Sequence, residues 1–224
     1  MKNKYVKRSK ISEAKFRNII MYFCLELDSR KIAALTSLNR NTINRYLGRI
    51  RSRIVELCEA QTQVRQIGLP KAGRHPGGLS PSDDRKPVQG GLPIFGIRSR
   101  GNHIYTSLLP NAIGPQLRRF IKRHDTGVLR GVPGEWRHYD GIVDLNGRCH
   151  YRLGYLARQS DDGQSAAGQI EAFLMFARNR LPTFNLNGDD HFYLGLKECE
   201  FRFNNRHEDL YQLLLKRLRE NPLN

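Results

Sequence analysis

Residues 61–92 constrain the architecture most, because Pro70, Pro76, Pro81 and Pro87 and six glycines fall there with few apolar residues. Proline has no N–H for a helix or a ladder, and a stretch with little to bury cannot offset the entropy of ordering it. No regular element is expected in it. Apolar periodicity lies on both sides, so the sequence predicts three parts: 1–60, an irregular linker over 61–92, and 93–224.

In the first part, Ser12 is placed to cap a helix whose Phe16, Ile19, Ile20, Phe23 and Leu27 recur every three or four residues. Ser29 is expected to cap a short second helix carrying Ile32, Ala33 and Leu35. Thr36-Ser37-Leu38 then turns to Asn39, the cap of a third helix. Ile43, Leu47, Ile50 and Ile54 form the buried side of that helix. Arg40, Asn41, Asn44 and Arg45 remain on its other side, near its start. These are the side chains that read base edges in a major groove, where Arg donates to guanine and Asn pairs with adenine. Arg49, Arg51 and Arg53, with Lys2, Lys4, Lys7, Arg8 and Lys10, are suited to phosphates. The segment thus predicts a helix-turn-helix DNA-binding domain; a three-helix bundle with a solvated basic face is the alternative.

Charge supports the first reading. Residues 1–60 hold fourteen Lys and Arg against five Asp and Glu, about +9 of a net +17. Such a field implies a polyanionic partner, double-stranded DNA before an anionic membrane surface. With no apolar run long enough to span a bilayer, the expected location is cytoplasmic, with the nucleoid. Cys24, Cys58, Cys149 and Cys199 lack metal-ligand spacing and are expected to be reduced thiols, mostly buried. The seven histidines are scattered and carry no such spacing either.

Beyond residue 92, strand-like runs appear at Pro93–Arg98, His103–Leu109, Gly127–Arg130 and Cys149–Leu153, the first two forming a hairpin around Ser99–Asn102. Helix-like stretches fall at Gly114–His124 and Trp136–Asp144, with Trp136 and Tyr139 as core residues. After Gly168 the pattern is helical, with Ile170, Phe173, Leu174 and Ala177 on one face and Leu210, Leu213, Leu214 and Leu218 on another. The order predicts a mixed α/β domain with C-terminal helices packed on its sheet.

The head KISEAKFRNIIMYF…KIAALTSLNRNTINRYLGRIR, followed by PIFGIRSRGNHIYT, EWRHYDGIVDL, CHYRL, QIEAFLMFARNRLPTFN and HFYLGLKECEFRFNNR, resembles bacterial insertion-sequence transposases related to the Merlin elements (the ISXO-like DDE family). KECEFRFNNR is the most specific block. The resemblance covers nearly the whole chain except 61–92 and implies an RNase H-like mixed sheet with flanking helices in 93–224. It also implies DNA cleavage and strand transfer on terminal inverted repeats, action as a homodimer or larger assembly, and Mg²⁺ or Mn²⁺ held by two Asp and a Glu or Asn. Two such ions about 4 Å apart clamp the attacking and leaving oxygens of a phosphodiester, and clustered carboxylates hold them.

At the matching positions the acids are missing. The first Asp falls on Ala72 with Gly73 beside it, and the preceding strand reads GLPKA, where Pro70 would remove a ladder hydrogen bond from a central strand. The second falls on Gly134. The family's Asn aligns with Gly168 and its nearby Glu with Glu171, while Arg178 holds the place of a basic residue that contacts DNA or phosphate. Glu135 and Asp83-Asp84 lie near these positions, but a shift of one residue on a strand reverses the face. Asp140 and Asp144 are read as surface charges on a helix. The expected function is a transposase-like protein that binds element ends and is defective in metal-dependent cleavage, with Glu171 its residual catalytic residue. An active enzyme with non-standard acidic ligands, or a decayed product with compensating frameshifts between about Gln61 and Gly91, are the alternatives.

Overall fold

The computed structural model describes residues 3–65, 94–109, 128–129, 138–144, 149–153, 166–181 and 189–224. Residues 66–92 of the predicted linker, the helix expected at Gly114–His124, and Ala72, Trp136 and Gly134 lie outside them; residues 61–64, expected to be irregular, are instead helical, because the helix begun at Arg40 runs on to Val64. The chain divides into a first unit, Met1–Glu56 with Asn205–Asn224, and a second, Leu57–Asn204.

The first unit holds α1 (Glu13–Cys24), α2 (Ser29–Thr36) and the start of α3 (Arg40–Val64). As the sequence predicts, the Ser12 hydroxyl accepts from Lys15 N, and Phe16, Ile19, Ile20 and Phe23 are buried. The second helix is capped differently. Asp28 accepts from Arg30 N and Lys31 N, and Ser29 is the first helical residue. A carboxylate takes two orphan N–H groups at once, and in doing so it is held below its ordinary pKa. Of the apolar residues this helix carries, Ile32 is buried and Leu35 exposed.

The second unit carries a five-stranded mixed sheet among the described residues: β1 (Phe95–Arg100), β2 (His103–Leu108), β3 (Val128–Leu129), β4 (Gly141–Asp144) and β5 (Cys149–Leu153), in the order β2-β1-β4-β5-β3. Only β3 with β5 runs parallel. The hairpin is tighter than predicted. Arg100 pairs with His103, leaving a two-residue turn whose Gly101 has φ +56°, a region that a Cβ disfavours.

The stretch Trp136–Asp144, expected to be helical, ends instead in β4, which pairs with β1 on one side and β5 on the other. Tyr139, immediately before it, lays its ring where a Cβ at Gly96 would stand, so glycine is needed there for the ring to reach the strand. Tyr139 is buried, as expected of a core residue.

Among the described residues this unit also holds the end of α3, from Leu57, and two helices of its own, α4 (Ala166–Arg180) and α5 (Asp189–Asn204). Strand residues Phe95, Ile97, Ile104 and Val143 form one core with Ile170, Phe173, Leu174, Ala177, Phe192 and Leu196 of the helices. The predicted face of α4 is therefore the buried one. The last helix, α6 (Leu210–Glu220), departs from expectation by packing on α1 in the first unit. Its buried stripe is Leu214, Leu215 and Leu218, with Leu210 and Leu213 half-buried. Asp209 caps it by accepting from Tyr211 N and Gln212 N.

Candidate nucleic-acid interface

The link from α2 to α3 is built by local chemistry. Ser37 adopts the left-handed conformation (φ 52°, ψ 44°) and donates its N–H to the Ala34 carbonyl, while Leu38 N donates to the Ala33 carbonyl at 3.2 Å. This is the paired closure that ends a helix and satisfies its last carbonyls. The Thr36 hydroxyl, buried, donates to the Ile32 carbonyl at 2.7 Å. The next helix then starts at once. The Asn39 side chain accepts from Asn41 N at 2.8 Å, and its carbonyl accepts from Ile43 N.

Along α3, Ile43, Leu47, Ile50 and Ile54 are buried as predicted, and Tyr46 joins them. Arg40, Asn41, Asn44 and Arg45 are all exposed, and the half-buried Arg49 lies one turn further along. Arg40 Nε donates to the Ser29 hydroxyl at 3.4 Å, tying the start of α3 to that of α2. The Arg45 guanidinium lies 5.6 Å from the Tyr46 ring centroid, within reach of its π-face. Lys7 and Arg8 are exposed in the segment before α1. These seven residues share one folded body, six of them exposed; Arg53, also expected at phosphates, is instead buried and pairs with Glu56 at 2.7 Å, because it faces the body of the unit.

The acidic positions fare otherwise. Glu171 and Arg178 are exposed on α4, seven residues and so about 10 Å apart along the axis. Gly168, also exposed on α4, offers no side-chain ligand. Asp140 and Asp144, read as surface charges, are 4% and 8% exposed. The reason is the sheet: Asp140 N donates to the Ile97 carbonyl, and its carboxylate accepts from Ser99 N at 2.8 Å, extending the β1 ladder beyond the end of β4.

Four residues along a strand separate Asp140 from Asp144 by about 13 Å, too far to share a pair of ions about 4 Å apart. Among the described residues no three His, Cys, Asp or Glu side chains come together to hold a metal.

Burial raises the Asp140 carboxyl above its ordinary value, against the lowering pull of Ser99 N–H, Arg98 and Arg100. A carboxyl whose folded pKa is raised binds more protons folded than unfolded, so its contribution to stability falls as pH rises through that interval. Asp140→Asn keeps an oxygen for Ser99 N–H and is expected to flatten the decline in stability above about pH 4. Urea midpoints compared across that range check it; parallel profiles for the two proteins would refute it.

The sequence reading missed a buried polar cluster inside KECEFRFNNR. Lys197 Nζ, 2% exposed, donates to the Thr106 carbonyl at 2.7 Å and pairs with Glu200 at 2.8 Å. Glu200 also accepts from the Thr106 N–H and hydroxyl. Arg202 pairs with Glu198, again with both buried. Acids and bases spaced three and four apart within an apolar helix were the available signal. Cys58 and Cys199 are buried thiols and Cys24 a half-buried one, and burial pushes the Cys58 thiol well up, away from reactivity.

A basic helical unit and a mixed α/β unit with helices on its sheet are therefore combined in one chain. The chain belongs to a transposase-like family. A Haemophilus influenzae protein described as an "uncharacterized transposase-like protein" is 30% identical over 115 residues, which span 51% of this chain and 92% of that protein. No protein-family model and no solved structure matches. Among the described residues no helix is long and apolar enough to cross a membrane.

Proposed function

We propose that this transposase-like protein binds double-stranded DNA, in particular the ends of an insertion sequence, through a helix-turn-helix formed by α2 and α3, and that it does not cut DNA by two-metal chemistry. The observation that carries the reading is the start of α3: Arg40, Asn41, Asn44 and Arg45 stand exposed in its first two turns, opposite a fully buried face. Those turns are the part of a recognition helix that reaches base edges. Arg49, Lys7 and Arg8 are the phosphate ligands in this reading.

The ancestral catalytic domain is RNase H-like in this proposal, and the mixed sheet with α4 and α5 against it supports that descent. The central place in the sheet order is held by β4, whose neighbours are β1 and β5. Loss of the acidic ligands then separates binding from cleavage. With Glu171 alone of the acidic set retained, one carboxylate is too little charge to hold two divalent cations.

Band-shift titration on a terminal inverted repeat against a random-sequence duplex tests the binding half. Asn44→Ala and Arg45→Ala are each expected to weaken specific retention by about 1–3 kcal/mol, or roughly 5- to 150-fold, with random-sequence binding changed far less. Indifference to both substitutions would remove α3 as the reading helix. Nicking in Mg²⁺ or Mn²⁺ that disappears with Glu171→Ala would instead establish an active enzyme.

A further inference from the structure

The segment before α1 is ordered beyond what a charged arm needs. Tyr5 and Val6 are buried while Lys4, Lys7, Arg8 and Lys10 are exposed. Val6 forms a parallel bridge with Leu223: Leu223 N donates to the Tyr5 carbonyl at 2.9 Å, and Lys7 N to the Leu223 carbonyl at 2.8 Å. The preceding carbonyl, that of Pro222, accepts from Arg53 Nη2 of α3 at 3.3 Å.

On its other flank the same segment is held by α3. The Ser9 hydroxyl lies 3.3 Å from the Tyr46 hydroxyl and accepts from Ile11 N, and the Tyr5 ring stacks on Phe16, which meets Tyr46 edge-on. Between these two anchors Arg8 has φ +52°. A residue with a Cβ disfavours that conformation, and it persists where surrounding bonds over-determine it.

We infer that Leu223 is a positioning residue for DNA binding: by bridging to Tyr5–Lys7 it holds Lys7 and Arg8 as pre-ordered phosphate ligands beside α3. The inference rests on the DNA-binding reading above. Its physical basis is entropy. A loose basic arm loses backbone and side-chain freedom on reaching phosphate, a cost that keeps it off phosphate in part of the complexes and so lowers the average number of counterions released, whereas a bridged arm has lost the backbone part on folding. No base contact is involved, so the effect is independent of sequence and visible in the salt dependence.

The test uses the full chain, a random-sequence duplex and binding measured from low to moderate salt. Lys7→Ala/Arg8→Ala is expected to reduce the slope of log K against log salt by about 1.8, two phosphate contacts' worth. Leu223→Pro, which removes the N–H given to Tyr5, is expected to produce most of that reduction, and to add little when combined with the charge variant. It is also expected to speed amide exchange at Lys7 without DNA. Should Leu223→Pro fail to fold, Leu223→Gly, which keeps the main-chain groups and sheds the buried side chain, is expected to move the slope part of the way.

Unchanged slopes with Leu223→Pro or Leu223→Gly, while Lys7→Ala/Arg8→Ala lowers the slope, would overturn the positioning role and leave DNA binding standing. Failure of the unaltered chain to retain any duplex would overturn the DNA-binding reading itself.

Discussion

Glu200→Ala is expected to lower the stability of the second unit by about 3–5 kcal/mol, the usual consequence of stranding one member of a buried ion pair. Glu200 is 1% exposed, and one of its carboxylate oxygens receives the Lys197 ammonium, the Thr106 N–H and the Thr106 hydroxyl, all within 2.8 Å. Removing it leaves an ammonium and a strand N–H without that acceptor, where water does not reach.

The penalty belongs to the broken pair and not to the absence of charge. Replacing both partners by apolar residues, Lys197→Met with Glu200→Leu, is therefore expected to recover much of the loss. Urea denaturation of the three proteins reads both effects. A midpoint for Glu200→Ala equal to that of the unaltered chain would show that the cluster does not hold α5 to β2.

In the first unit the largest effect is expected from Phe16→Ala, at about 3–5 kcal/mol for emptying a fully buried aromatic site. Phe16 has no exposed surface; its ring stacks on Tyr5 at 6.0 Å between centroids and meets Tyr46 edge-on at 5.7 Å. It therefore joins three segments, the one before α1, α1 itself and α3. Collapse into the space would have to move Tyr46, which lies next to Arg45 on the proposed reading helix.

Faster amide exchange at Ile19 and Ile20, together with a lower urea midpoint, is the expected signature. Weaker retention of DNA should accompany it. Exchange rates at those two positions equal to those of the unaltered chain would show that the ring does not carry the packing assigned to it.

Much of the first unit was legible before the fold was seen. The face of α1, the cap at Ser12 and the exposed quartet on α3 all follow from helical period and from which side chains bond to their own backbone. The second cap was not separable, because Asp28 and Ser29 are adjacent and either can cap. The hairpin was legible from two apolar runs around Gly101. Strand β4 was not. Gly141–Asp144 is too short for its own periodicity to speak, and pairing with Phe95–Ile97 on one side and Cys149–Arg152 on the other makes it a strand.

The same division runs through the charged residues. Their identities alone establish a basic chain, with fourteen Lys and Arg against five Asp and Glu in residues 1–60. Which acids are buried was decided only in three dimensions: Asp140 completes a strand edge, and Glu200 completes a β2 backbone group and a lysine. The leucine stripe of α6 likewise specified that the helix needed an apolar partner, but the sheet and α1 both offered one. Hydrophobic burial is non-directional, so the pattern on one element does not name the surface that covers it. Packing on α1, with Leu223 bridged to Val6, was the choice that only the folded chain revealed.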